Sequence, residues 1–355
     1  MSPVKGSCVN IETELNEYMH LLGLLIREPS VVGSEAPFYR VIRRELEELP
    51  IRVRQYKGLL VAEGEEPESV YLSAHVDRNG LLCTGPNEFQ YAAFIAGNRG
   101  ELFGDSVSEQ MMELIQDRFR GERVQAYLPH VGSYLGQGVI ETAQICPQRR
   151  NLIFEVAGLG HLEPGSAVSF LDRLKFDGQF LSGQLDNVVS VALLIHLLRR
   201  GFRGTALFTC EEEAGRSWRY VLERLQAESR KTKRLIVLDT SPYPSIAEAT
   251  SQDLVLRRRD AGATFDGLLT QELENRCNQL GIRTSFKDDY VTQVNLTRER
   301  PMSYGRTELG RLITATGGEV TGTTLQIPTT GYHTTRETAS LDSIISAIKV
   351  LRTYI

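Results

Sequence analysis

The sequence predicts an α/β fold: a mixed, mostly parallel sheet sandwiched by helices, with a small β-rich domain inserted into it. Three observations carry that expectation. Helical periodicity and short apolar runs alternate over residues 1–79 and again over 171–355. Several of those apolar runs end directly in an acid or a histidine. Between them, over 80–170, the texture changes to short apolar stretches broken by glycines, as in Gly136-Gln137-Gly138 and Gly158-Leu159-Gly160, which suggests a compact β-rich module.

The bulk composition excludes some classes. With 355 residues, 41% hydrophobic and 24% charged, the chain is ordinary globular material. A net charge of -5 argues against a general nucleic-acid binder, which would show a basic face. The five cysteines (Cys8, Cys83, Cys146, Cys210 and Cys277) are scattered and odd in number. Neither a disulfide framework nor a cysteine-based zinc knuckle is expected, and a reducing compartment fits. Met1 to Asn10 is polar, and no run approaches the roughly 20 apolar residues of a membrane span. The expectation is a soluble, cytoplasmic protein without a membrane partner.

In chain order, Leu15, Met19, Leu22, Leu25 and Ile26 recur at helical spacing and predict a helix from Ile11 to Arg27, stopped by Pro29. Ser34-Glu35 opens a second helix that runs to Leu49 before Pro50. Strands are expected over 51–56, 58–62 and 69–74, the last leading into His75-Val76-Asp77. A helix over 111–120 is expected among the strands of the inserted module. Asp186-Asn187 then precedes the apolar helix Val188–Leu198, and the strand Thr205–Cys210 delivers Glu211, Glu212 and Glu213. The strand 234–238 ends in Asp239. A helix over 217–226 is expected before that strand, and strand 253–258 and the helices 265–280 and 305–314 follow it. Strand 322–327 exits through Tyr332-His333, and a last helix covers 341–354.

Each polar feature has an ordinary reading of its own. The glutamate triplet also fits a solvated acidic turn, His75-Val76-Asp77 a hydrogen-bonded surface turn, and Asp186 a helix N-cap. His196 reads as a core or interface residue of its apolar helix. Together, however, His75, Asp77, Asp186, Glu212, Glu213, Asp239 and His333 all stand at strand exits or at a helix entry, the places that converge on one crevice in a doubly wound sheet. Imidazoles and carboxylates without thiolates suit zinc, cobalt or manganese. Two such ions can lower the pKa of a water held between them and polarise a carbonyl. A free carboxylate must then carry the proton, and Asp77 is placed to accept the second N–H of His75.

These motifs resemble the dizinc aminopeptidases of the glutamyl-aminopeptidase and tetrahedral (TET) type. The resemblance rests on Ala74-His75-Val76-Asp77, Leu185-Asp186-Asn187, Glu212-Glu213-Ala214-Gly215, Leu238-Asp239 and Tyr332-His333-Thr334, which occur in the family's order. It implies a zinc-exopeptidase-like domain made of residues 1–79 and 171–355, with 80–170 as the inserted domain serving oligomerisation or substrate access. It also implies two divalent ions, one held by His75 and Asp239, the other by Glu213 and His333, with Asp186 bridging. Glu212 becomes the general base and then the general acid, and Asp77 orients His75. The substrate is a peptide that loses its N-terminal residue, and the assembly a homo-oligomer, often a dodecamer. Two departures bear on substrate preference: Arg78-Asn79 follows His-X-Asp where the family commonly has an acid, and Thr307-Glu308 stands for its Thr-Asp pair. Arg306 is a further pocket candidate. The alternatives are a related dizinc amidohydrolase (a carboxypeptidase or an N-deacylase) and a non-catalytic scaffold of the same fold.

Overall fold

The computed structural model describes residues 11–96, 115, 118–146 and 151–355. The helix expected over 111–120 falls largely outside them. An eleven-stranded mixed sheet forms the larger body. Its path runs Arg52–Tyr56, Leu59–Glu63, Thr205–Thr209, Tyr71–His75, Leu235–Pro242, Gly322–Thr330, Glu337–Ser340, Phe180–Gly183 and Lys175–Phe176. Leu254–Leu256 and Thr284–Phe286 branch from Gly322–Thr330. The central quartet, from Thr205–Thr209 to Gly322–Thr330, is parallel, and both flanks of the path are antiparallel. Parallel strands are covered on both faces, so they read as continuous apolar runs. Every residue of Thr205–Thr209 and of Tyr71–His75 is buried accordingly.

Helix Val188–Arg199 is buried from Val188 through Leu198. A helix without a polar face belongs in the interior, and this one packs on the Tyr71–His75 strand beneath Ile11–Leu25 and Ala36–Leu46. Each fully buried leucine or isoleucine there is worth about 1.5–3 kcal/mol, which fixes the helix start, and with it Asp186, against the sheet. His196 lies in this core at 2% exposure, with its ring edge-on to Tyr18. Asp266, Thr307 and Ser340 cap the helices Gly267–Gln279, Glu308–Thr316 and Leu341–Leu351 through their side-chain oxygens.

The second body is a closed barrel, in the order Gly80–Gly85, Glu88–Tyr91, Asn151–Ala157, Tyr134–Cys146, Arg123–Tyr127 and Ala167–Phe170. It has its own apolar core around Phe89, Phe119, Phe154 and Phe170. Among the described residues no helix is long and apolar enough to cross a membrane.

Candidate active site

The four parallel strands end side by side, and each exit delivers a polar group. His75 closes its own strand, in register with Thr209. Asp239 lies near the end of Leu235–Pro242, while Glu212 and Glu213 follow Thr205–Thr209 and His333 follows Gly322–Thr330. Glu211 and His333 take left-handed backbone conformations, φ 61° and 56°. Such conformations cost roughly 1–2 kcal/mol outside glycine and collect where the surrounding structure imposes them. After the glutamates, Gly215 at φ 70° donates its N–H to the Glu212 carbonyl at 2.7 Å, a turn that favours glycine.

Asp186 sits between the two histidines. Its Oδ1 is 3.3 Å from His75 Nε2 and its Oδ2 is 3.7 Å from His333 Nε2. Asp239 Oδ1 lies 3.6 Å from His75 Nε2, and Glu213 Oε2 lies 3.2 Å from His333 Nε2. Two clusters result, His75–Asp186–Asp239 and Asp186–Glu213–His333, each with its donor atoms within 4.8 Å of one another. Asp186 belongs to both. Asn187, rather than Asp186, is the N-cap residue of the apolar helix, and its Nδ2 donates to the Leu238 carbonyl at 2.8 Å.

The surrounding groups hold this arrangement by main-chain contacts. Asp77 accepts the N–H of Glu212 on one oxygen and that of Glu213 on the other, both at 3.0 Å. It meets His75 Nδ1 through its main-chain carbonyl at 3.1 Å, while its carboxylate stands 3.6 Å away. Asp77 therefore clamps the glutamate turn with its side chain and orients the imidazole mainly with its backbone. Glu337 accepts the N–H of Asp186 at 2.7 Å and of His333 at 2.8 Å, tying the two exits together. The sequence motifs gave Glu337 no role. Its signal was a buried acid on a short polar strand, legible once the strand is paired.

The electrostatics favour cations. Burial raises the pKa values of Asp186, Glu213 and Glu337. Glu212 is pushed up to about 8 by burial, with His75 opposing and Asp239, Asp77 and Asp186 adding to the shift. Burial works against a charge on His75, yet the neighbouring carboxylates of Asp186, Asp239 and Asp77 raise its pKa well above the usual value. Burial, Arg118 and His75 push His333 down. Asp186 Oδ1 is buried without a hydrogen-bond partner, which is costly unless something positive occupies its lone pairs. A nitrogen and oxygen donor set of this kind fits a pair of divalent ions.

The site opens into a cavity of about 620 Å³ that Glu212 also lines. Arg257, Lys287, Arg306 and Thr307 form part of its wall. Arg78 does not. Its guanidinium turns away to Ser30 Oγ and the carbonyls of Ile26 and Glu28 at the end of the first helix. Glu308 likewise leaves the cavity and accepts a 2.6 Å bond from Ser73 Oγ. Within the two departures from the family pattern, Arg78 and Glu308 thus act as packing residues, and the missed wall residues Arg257 and Lys287 lie in segments without a motif.

Fold and donor set together define the class: a metal-dependent hydrolase of α/β architecture. The chain belongs to the M42 glutamyl aminopeptidase family, whose model matches residues 159–350, more than half of the sequence, and it is a metalloaminopeptidase. The strand ending in His75, and Asp77 just after it, lie outside that matched span. The fold is shared with three archaeal proteins. A TET aminopeptidase from a marine sediment Thaumarchaeota archaeon has a TM-score of 0.71 at 16% identity, over 95% of each chain. An aminopeptidase from Desulfurococcus kamchatkensis has a TM-score of 0.71 at 16% identity, over 96% of this chain and 95% of the other. The TET1 peptidase of Pyrococcus horikoshii, which can assemble into a tetrahedron or a large octahedral shell, has a TM-score of 0.66 at 18% identity, over 94% and 98%. No curated protein sequence matches the chain.

Proposed function

We propose that the protein removes N-terminal amino acids from peptides at a site loaded with two divalent ions, zinc in the first place and cobalt or manganese as substitutes. The observation that carries this reading is Asp186, whose two oxygens face the two imidazoles from between two donor clusters. His75 and Asp239 would hold one ion, Glu213 and His333 the other, and Asp186 both. When bound, the ions supply Lewis-acid polarisation of the scissile carbonyl and acidify water. Glu212 belongs to neither cluster and lines the cavity. It suits proton uptake from water and delivery to the leaving amine. Asp77 holds Glu212 and Glu213 in register through their backbone N–H groups.

The cavity wall supports a preference for a substrate side chain bearing a carboxylate. Lys287 is buried, with Nζ 3.8 Å from the Tyr243 ring centroid, and bonds the Pro242 carbonyl. Arg257 uses Nε on Gln326 and one terminal nitrogen on the Tyr304 carbonyl, both at 2.8 Å. A buried cation ordinarily needs an anion, and a carboxylate entering the cavity provides one. Residues 80–170 act as an inserted domain on a catalytic body of 1–79 and 171–355, and the TET relatives support a homo-oligomer up to a dodecamer.

The test is turnover of aminoacyl-anilides and of matched peptides with free and acetylated N-termini, using protein loaded with zinc or cobalt. Release from the free peptide alone is expected, and Glu212→Gln should lower kcat by at least about a hundredfold while two ions per chain stay bound. Cleavage of the acetylated peptide would instead mark an amidohydrolase, and no metal uptake a scaffold.

A further inference from the structure

The barrel and the site meet in one hydrogen-bonded chain. Tyr91 closes the barrel strand Glu88–Tyr91, and its ring packs edge-on to Phe94 at 5.1 Å and parallel to Phe119 at 6.1 Å. Its hydroxyl leaves that aromatic cluster and donates to Asn79 Oδ1. Asn79 Nδ2 in turn donates to Glu213 Oε1 at 3.2 Å. Gln184 Nε2 donates to the Asn79 carbonyl at 2.8 Å, so the asparagine is held by its backbone as well. Asn79 and Tyr91 are each only 3% exposed.

The chemistry of these groups gives the chain a direction. An ionised carboxylate only accepts, so the asparagine must present its N–H₂ to Glu213 and its oxygen to the phenol, which donates. Glu213 Oε1 is thereby occupied by a donor. Oε2 is left as the oxygen that faces His333 Nε2 at 3.2 Å. A carboxylate with one oxygen tied down offers the other in a fixed direction, the usual way an outer hydrogen bond tunes a ligand.

We propose that Asn79 and Tyr91 are positioning residues, through which the barrel selects the oxygen that Glu213 turns toward its ion. This rests on the reading that Glu213 holds an ion. Removing either group frees Glu213 to rotate, so the affinity of one of the two ion sites falls while the other is kept. Because the two residues act in series through one carboxylate, their effects overlap instead of adding.

The experiment is titration of the full-length chain with cobalt(II) against a competing chelator, for wild type, Tyr91→Phe, Asn79→Leu and the double variant, with Glu213→Gln as reference. Tyr91→Phe removes one oxygen and leaves the packed ring, so it keeps the test available if Asn79→Leu fails to fold. The expected result is a roughly 10–100-fold weaker site in each single variant, no further loss in the double variant, and a kcat that recovers at high cobalt. Two unchanged sites accompanied by a lower Tm would reduce Asn79 and Tyr91 to packing residues and overturn the proposal. If Glu213→Gln itself binds two ions normally, the underlying assignment of Glu213 fails, a result distinct from the first.

Discussion

Asp77 and Glu213 lie 136 positions apart, and the carboxylate of the first accepts the backbone N–H of the second at 3.0 Å. With the matching bond to the Glu212 N–H, one acid just beyond the His75 strand sets the direction of two adjacent acids just beyond the neighbouring strand. That register allows neighbouring glutamates to take different tasks.

Asp77→Asn keeps the shape but exchanges one acceptor oxygen for a donor, which must then face a backbone N–H. One N–H of the turn is left without a partner, at a cost of about 1–3 kcal/mol, and the glutamates drift. The expected outcome is a kcat reduced by about a hundredfold, as for a misplacement on the order of 1 Å, with KM changed little. Steady-state kinetics at saturating metal would check it, and an unchanged kcat would contradict the clamp.

Metal removal has a pH signature. In the ion-free protein Glu212 has a pKa of about 8 against an ordinary 4.5, and Glu213 and Glu337 are shifted in the same direction. Between those values the folded state holds more protons than the unfolded one. The stability from the raised pKa is full below pH 4.5 and is lost as pH rises through 8. Bound cations relieve that loss. The Tm gap between loaded and chelated protein should therefore widen from pH 5 to 8, and a constant gap in thermal melts would count against the acids as the ion site.

Lys287 tests the cavity. Burial, aided by the nearby Arg257 charge, pushes its pKa down to about 7, so its charge fades above neutrality. A preference for glutamyl over leucyl anilides should weaken as pH rises through 7, and Lys287→Met should remove most of it, lowering the ratio of kcat/KM values at least about tenfold, or roughly 1.4 kcal/mol. Equal ratios in variant and wild type would assign Lys287 to packing with Tyr243 and Tyr290.

Much of the large sheet was legible because its signals are local. Apolar runs such as Leu235 to Leu238 and the helix Val188–Arg199 announce themselves by length and periodicity. Phe180–Gly183 and Glu337–Ser340 did not, since they are short and partly polar and exist as strands by pairing with each other. The helix Lys287–Asn295 begins at a buried lysine, which no pattern of exposed charge would predict.

The sequence alone determined the ladder of elements and the order of acids and histidines along it, because strand ends and helix starts are written in neighbouring residues. Only the tertiary structure decided where those side chains point. It turned Arg78 back to the first helix, sent Glu308 to Ser73, gave Asp186 a histidine on each side and brought Tyr91 from the barrel to Asn79. The reason is physical: such contacts depend on strand register and side-chain direction across separations of tens to hundreds of residues, and no local propensity encodes them.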